Sequence, residues 1–132
     1  MATLTKKSPT SEEEAVLANT LRIATLAADK KAADIKAYDV RGLTLIADTF
    51  VICTAHSTPQ IKAVFNGVKD GMKEIGIPPL HSEGAEGTFS SDWLLMDYGA
   101  ILVHVFRDKS REFYDLDGMW ADAKEIPLGL ED

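Results

Sequence analysis

The stretch Trp93-Leu-Leu-Met-Asp-Tyr-Gly-Ala-Ile-Leu-Val-His-Val-Phe106 decides the fold of this chain. Two apolar runs flank the dipeptide Tyr98-Gly99, and glycine accepts the positive φ that tight hairpin turns require. We therefore predict two short antiparallel strands joined at Gly99. Successive side chains of the second strand point to opposite faces and are mostly apolar, so both faces of the sheet must be covered there.

Three other segments predict strands, at 34–40, at 49–54 and, as a short edge strand, within 77–84. The segment 49–54 is continuously apolar, which is typical of a strand buried on both faces at the centre of a mixed sheet. The residues thus predict a single α/β domain with a mixed β-sheet of about five strands flanked by helices.

Helical periodicity marks the covering layer. The first helix opens at Ser11, where Glu14 completes a capping box, and its predicted apolar face comprises Leu17, Leu21, Ala24 and Ala28. A second helix is predicted to begin with Thr58 as its capping residue before Pro59 and to end at Gly76.

Two glycines one turn apart, Gly67 and Gly71, lie within that second helix. Each lowers helix stability by roughly 1 kcal/mol relative to Ala. The pattern permits two interpretations, a close backbone approach or simple tolerance of weak helix formers. After the hairpin, Phe113, Leu116 and Trp120 follow at helical spacing and predict a third helix.

We expect residues 1–10 to form a disordered polar tail, residues 11–126 to form the domain, and residues 127–132 to form a loose acidic C-terminus. The N-terminal stretch lacks the apolar region of a signal peptide, and no apolar segment approaches the roughly 18 residues of a membrane span. These features favour a cytoplasmic protein without a membrane partner.

The formal net charge is −7, which argues against nucleic-acid binding through phosphate contacts and favours a basic protein partner. The single cysteine, Cys53, cannot form an internal disulfide and is interpreted as a buried small apolar residue in a reducing compartment.

Candidate chemistry is sparse. Cys53 and His56 have a Cys-x-x-His spacing, but a zinc site needs about four ligands, and His81 and His104 belong to separate elements. His104, within an apolar strand, is interpreted as a core histidine bonded to a backbone carbonyl rather than a catalytic base. The sequence therefore predicts neither a metal site nor a cofactor.

Asp115 and Asp117 resemble a magnesium-binding carboxylate pair. In the predicted helix, however, residues two positions apart point about 200° away from each other, and the chain contains no glycine-rich phosphate loop. A solvated helix face is the interpretation that these spacings favour.

The aromatic residues between positions 93 and 120 are unusually dense, and they suit either a core or a protein-binding hot spot. At this point the sequence resembles the ribosome silencing factors, also called Iojap-like proteins. The resemblance rests on short sequence motifs that occur in the same order as in the family: Ala33-Asp34-Ile35, Asp39-Val-Arg-Gly-Leu43, Ala47-Asp48-x-Phe-Val-Ile-Cys53, Ser57-Thr58-x-Gln60, His81-Ser-Glu-Gly84, Trp93-x-Leu-x-Asp-Tyr-Gly99, His104-Val-Phe106 and Arg111-x-x-Tyr-Asp-Leu116 to Trp120.

The resemblance implies a nucleotidyltransferase-like topology without the catalytic motif, and hence a protein that is not an enzyme. It also implies binding to the large ribosomal subunit through ribosomal protein L-fourteen, which blocks subunit joining and represses translation. An acidic chain meeting a basic ribosomal protein agrees with the charge argument.

The docking surface that the resemblance implies comprises Glu83, Gly84, Trp93, Leu95, Asp97, Tyr98, Gly99, Arg111, Tyr114 and Trp120. Trp93 and Tyr98 would supply apolar anchoring, and Asp97 would pair with a Lys or Arg of the partner. The chain departs from the family pattern at Met96, Gly118 and Met119, and the last two put the regularity of the third helix in question.

Two alternatives stay open on sequence alone. One is a nucleotidyltransferase-like enzyme or phosphohydrolase that uses Asp115 and Asp117, with His104 as an additional candidate. The other is a homodimeric adaptor that docks elsewhere in translation.

Overall fold

A six-stranded mixed sheet organises the structure, a computed structural model that describes residues 11–83 and 92–130. The expected N-terminal tail 1–10 and the end of the C-terminal segment, 131–132, lie outside the described residues. The elements in chain order are α1 (Ser11–Asp29), β1 (Ala33–Asp39), β2 (Thr49–Ala55), α2 (Thr58–Lys73), β3 (His81–Glu83), β4 (Trp93–Asp97), β5 (Ile101–Arg107), α3 (Asp108–Tyr114), α4 (Leu116–Met119) and β6 (Lys124–Glu125).

The sheet has the strand order β3-β4-β5-β2-β1-β6. β2 runs parallel to β5, and the other pairings of the described strands are antiparallel. Every residue of β2 is buried, which confirms the prediction of a central strand covered on both faces. The mixed α/β fold is also confirmed, with one strand more than expected. That strand, β6, has only two residues, too few to show any periodicity in the sequence.

α1 and α2 cover one face of the sheet. Ile23 and Ala27 of α1 join a core cluster that includes Val64 and Val68 of α2 and Val103 of β5. The second face carries a separate cluster built around Phe50, Phe106 and Leu116. The expectation that both faces of β5 are covered is therefore confirmed.

The observed buried face of α1 is rotated from the predicted one, although Ala24 is buried as expected. The helix buries Thr20, Ile23, Ala24 and Ala27, whereas Leu17 remains 45% exposed. The reason is a polar contact that apolar periodicity does not reveal. The Thr20 hydroxyl donates to the Val16 carbonyl at 2.7 Å and lies 3.0 Å from the Thr49 hydroxyl, so a threonine can occupy a fully buried position.

The beginning of α2 also differs from the prediction. Ser57, not Thr58, is the capping residue, and its Oγ accepts from the Gln60 N–H at 3.2 Å. The helix ends at Lys73, and the chain reverses at Gly76, whose φ of +80° suits glycine.

The single helix predicted through Phe113, Leu116 and Trp120 was also wrong. The segment divides into α3 and α4 at Asp115, which has a left-handed φ of +48°. The Asp115 carboxylate accepts from the Gly118 N–H at 3.1 Å, and this local bond offsets the cost of the left-handed conformation.

Gly71 decides between the two interpretations of the helical glycines. A Cβ placed there would come within 2.4 and 2.6 Å of the two Leu26 δ-carbons of α1. The Arg22 guanidinium also donates to the Gly71 carbonyl, at 2.8 Å from Nη2. At this position the two helices therefore approach closely.

We expect Gly71→Ala to destabilise the fold by about 1–2 kcal/mol, because overpacking against Leu26 outweighs the intrinsic helix gain of roughly 1 kcal/mol. The matched control is Gly67→Ala, where the three atoms nearest to an added Cβ all belong to the flexible stem of exposed Lys30. That variant should be neutral or slightly stabilised. Urea unfolding measures both, and equal midpoints for the two variants would contradict the close approach.

Candidate protein-docking surface

β4 presents its side chains alternately to the two faces of the sheet. Leu94 and Met96 are fully buried toward the helices, whereas Trp93, Leu95 and Asp97 are half-buried on the opposite face. Three of the residues expected in a docking surface therefore form one row on one strand. We call Trp93, Leu95 and Asp97 the docking row.

The neighbouring strands extend this row. On one side, β3 places His81 opposite Asp97 and the backbone of Glu83 opposite Leu95. On the other side, β5 places His104 opposite Leu95 and Phe106 opposite Trp93.

β3 stands at one end of the strand order, so the docking row lies one strand from the edge of the sheet. The predicted site residue Gly84 lies outside the described residues. Glu83 is placed by its strand pairing, next to the docking row.

Asp97 has a structural use in the turn. Its Oδ1 accepts from the Gly99 N–H at 2.7 Å, and Gly99 has the positive φ of +83° predicted for it. The turn closes with the Tyr98 N–H donating to the Ile101 carbonyl at 2.8 Å. One carboxylate oxygen of Asp97 thus shapes the hairpin turn.

Tyr98 does not stand beside Trp93. It packs against the core cluster on the helix side of the sheet, with its hydroxyl 4.0 Å from the Met96 sulfur. Burial raises the pKa of Tyr98 to about 12. The two aromatic residues expected to act as paired anchors therefore lie on opposite faces of the hairpin.

Trp93 instead belongs to an aromatic cluster. Its ring centroid lies 4.8 Å from that of Tyr114 and 5.0 Å from that of Phe106. The contact with Trp93 places Tyr114, a predicted site residue on α3, beside the docking row, where 45% of its surface is exposed. Such a semi-exposed aromatic pair provides apolar area with few rotatable bonds.

His104 lies beneath this cluster and is only 5% exposed. Its Nδ1 accepts from the Trp93 indole N–H at 3.1 Å, and its ring stacks on Phe106 and meets Phe50 edge-on. Burial lowers the pKa of His104 to about 4. The core interpretation of His104 is confirmed, but its Nδ1 is bonded to an indole rather than to the expected backbone carbonyl.

Arg111 lies away from the docking row in a polar network. Its guanidinium donates to both Asp117 carboxylate oxygens, at 3.0 and 2.9 Å, and to the Thr54 hydroxyl at 2.9 Å. It also donates to the Asp34 carbonyl, and the Tyr38 hydroxyl donates to Asp117 at 3.0 Å. Arg111 thereby ties α3 to α4, β1 and β2.

Partial burial opposes the ionisation of Asp117, but the Arg111 hydrogen bonds and charge outweigh it and hold the pKa of this carboxyl below its usual value. Asp115 is engaged separately as the cap of α4. The two carboxylates thus have different partners.

Trp120, the last predicted site residue, packs edge-on against Phe50 with ring centroids 5.2 Å apart.

Several further features of the described residues bear on possible chemistry. Within the described ranges, no three His, Cys, Asp or Glu side chains converge as metal ligands. Cys53 is fully buried, and this burial raises its pKa to about 12, while the imidazole of His56 contacts the Asp108 carboxylate at 2.7 Å. Among the helices that the structure describes, none is long and apolar enough to cross a membrane.

The chain is similar to proteins of one family. The family model described as "Ribosomal silencing factor during starvation" matches residues 11–132. A Bacillus subtilis protein named ribosomal silencing factor RsfS is 40% identical over 104 residues, which cover 78% of this chain and 86% of that protein. The chloroplastic protein Iojap of Arabidopsis thaliana is 34% identical over 130 residues, covering 96% of this chain and 52% of that longer protein.

Solved structures agree with the fold. A crystal structure of a Chromobacterium violaceum protein has a TM-score of 0.76 at 28% identity, covering 88% of this chain and 93% of its own. A Bacillus halodurans crystal structure has a TM-score of 0.70 at 30% identity, covering 87% of this chain and 99% of its own.

We expect Arg111→Lys to destabilise the fold by about 2 kcal/mol, because an ammonium cannot reproduce the paired bonds to Asp117 together with those to β1 and β2. The matched control is Arg41→Lys, at a more exposed ion pair with Asp39, where a loss below about 1 kcal/mol is expected. Urea unfolding compares them, and equal losses would contradict the bridging role of Arg111.

The buried His104 predicts a pH dependence of stability. The pKa of His104 is lowered from its ordinary value of 6.5 to about 4 in the folded chain. The stability gained by burying the neutral imidazole is therefore fully present above pH 6.5 and is lost as the pH falls through 4. The melting temperature of the wild type should therefore fall more steeply from pH 7 to pH 4 than that of His104→Asn. Carboxylates titrate in both proteins, so parallel curves would refute the assignment to His104.

Proposed function

The chain belongs to the ribosomal silencing factor family, and we propose that it represses translation by docking on ribosomal protein L-fourteen of the large ribosomal subunit. The bound protein would block joining of the small subunit by occupying its contact face, with no chemical step. We further propose that it acts in the cytoplasm. The observation that carries the docking proposal is the half-buried row of Trp93, Leu95 and Asp97 on β4.

The docking row has the composition of a binding hot spot. Trp93 with Tyr114 supplies apolar area at its centre, and large aromatic side chains dominate the free energy of many protein interfaces. Leu95 continues this area toward the β3 edge.

Charge supports a basic partner. The chain carries a net charge of −7, and Asp97 places a carboxylate within the docking row. Complementary potentials raise encounter rates and fix the register of an interface. A basic ribosomal protein presenting a Lys or Arg to Asp97 satisfies this requirement.

The other predicted site residues divide by their positions. Glu83 borders the docking row, and we propose that it and Gly84 contribute to the rim. Tyr98 and Gly99 set the hairpin turn at one end of the row. Arg111 holds α3 and α4 in place and Trp120 packs on Phe50, so we propose that both residues support the fold and do not contact the partner.

Sedimentation of purified ribosomal subunits tests the function directly. At magnesium concentrations that favour joining, added protein should keep the subunits apart and should travel with the large subunit alone. Complete joining at saturating protein would overturn the proposal.

Two variants separate docking from folding. Trp93→Ala should weaken large-subunit binding by about 2 kcal/mol, or roughly 30-fold in Kd, because it removes a central aromatic anchor. Asp97→Asn keeps an oxygen to accept from the Gly99 N–H but removes the charge, and we expect about tenfold weaker binding that depends less on salt.

Leu17→Ala and Asp70→Asn, on exposed positions of α1 and α2, are the matched controls. They should bind as the wild type does, with folding verified by circular dichroism. Unchanged binding by folded Trp93→Ala and Asp97→Asn would remove the docking row from the interface.

A further inference from the structure

The indole N–H of Trp93 is already engaged inside the protein. It donates to His104 Nδ1 at 3.1 Å, and an indole has no other donor. His104 is 5% exposed, so this hydrogen bond points into the sheet and away from any partner. What Trp93 can offer a partner is the carbon surface of its ring.

This bond also fixes the proton of the imidazole. A neutral imidazole has one N–H and one acceptor nitrogen, so a ring that accepts at Nδ1 carries its proton on Nε2. That Nε2 is buried and has no hydrogen-bond partner within residues 11–83 and 92–130. Burying an unpaired donor costs stability.

Packing alone does not explain a histidine at this place. The ring packs against three aromatic rings, with Phe50 at 5.0 Å, Trp93 at 5.9 Å and Phe106 at 6.2 Å between centroids. Leucine or phenylalanine would fill the same space without an unpaired N–H. The property that they lack is the acceptor for the indole.

We propose that His104 is a positioning residue for docking, which fixes the Trp93 indole so that the partner meets its ring surface and not its N–H. This inference rests on the proposed function. Holding the indole in one orientation before binding removes the entropy loss of ordering that side chain when the complex forms.

The proposal specifies the chemistry of the contact. The partner group at Trp93 would be a side chain that packs on a ring, such as the stem and guanidinium of an arginine, which stacks on indole faces. Asp97, in the same docking row, suits the same kind of cationic partner.

The test compares His104→Asn with His104→Leu, because the side chains of Asn and Leu have nearly the same shape. Asn Oδ1 lies about where the imidazole Nδ1 lies and can accept from the indole, whereas Leu cannot. Proton–nitrogen NMR spectra of the full chain report the Trp93 indole N–H, which is assigned by its absence from Trp93→Phe. Large-subunit binding is measured on the same samples.

We expect the wild type and His104→Asn to show a downfield, slowly exchanging Trp93 indole signal and equal affinity for the large subunit. His104→Leu should show an upfield, faster exchanging signal and about fivefold weaker binding, which corresponds to the cost of ordering one side chain. If His104→Leu does not fold, His104→Phe, which keeps a flat ring but no acceptor, replaces it with the same expectation.

Three results would overturn the positioning role. They are a wild-type indole signal without hydrogen-bond protection, full binding by a variant that has lost the bond, or equally weak binding by His104→Asn with the bond intact. Trp93→Ala separates the two proposals. Its loss of binding beside full binding by His104→Leu refutes only the positioning role, whereas its own full binding refutes docking through Trp93 altogether.

Discussion

The parallel pairing of β2 with β5 is the constraint on which the rest of the structure depends. The two strands pair along the whole of β2, from Thr49 opposite Ile101 to Ala55 opposite Arg107. Parallel neighbours cannot be joined by a tight turn, so the chain between them must cross over. α2 makes this crossover, and β3 and β4 then return as the outer part of the sheet. Both central strands become buried on two faces as a result.

Burial of both faces requires two unequal covers. α1 and α2 are long enough to span one face, whereas among the described helices the short α3 and α4 pack on the other. These short helices meet Phe50 and Phe106 at the centre of the sheet. β4 lies one strand further out, and its residues on this face stay half-buried. The docking row thus follows from the small size of the second cover.

The polar network at Arg111 holds that small cover in place. Since α4 is a single turn, it has little stability of its own. Arg111 ties it to the preceding helix and to two strands, while the left-handed Asp115 sets the angle between α3 and α4. The network also anchors α3, the helix that brings Tyr114 against Trp93.

Periodicity and turn chemistry predicted the hairpin, the central strand and α2, because each is specified by residues close together in the chain. Two of the misses arise from contacts between residues that are distant in the chain. The buried Thr20 depends on Thr49 of β2, and β6 depends on pairing with β1. The division of the last helix at Asp115 follows from a side-chain bond to Gly118 that competes with helical hydrogen bonding.

The residues predicted for the docking surface also show what a local sequence pattern can and cannot predict. The family resemblance supplied the residue types, and strand alternation alone separates Trp93 from Tyr98, since an odd spacing places them on opposite faces. The bond from Trp93 to His104 could not be read in this way, because it joins neighbouring strands diagonally and depends on the imidazole tautomer.

Trp93 and Asp97 each meet a structural requirement with one atom, and in the proposed interface the rest of each side chain is available to the partner. The indole N–H of Trp93 donates to His104, so the carbon surface of the ring stays available to a partner. One Asp97 oxygen accepts from the Gly99 N–H in the turn, and the charge of the carboxylate stays available in the same way. A surface built in this way is ordered before binding, so little entropy is lost when a partner arrives. If the proposed docking holds, the residues that specify the hairpin are also the ones that contact the partner, and substitutions there must remove single atoms or charges to separate folding from binding.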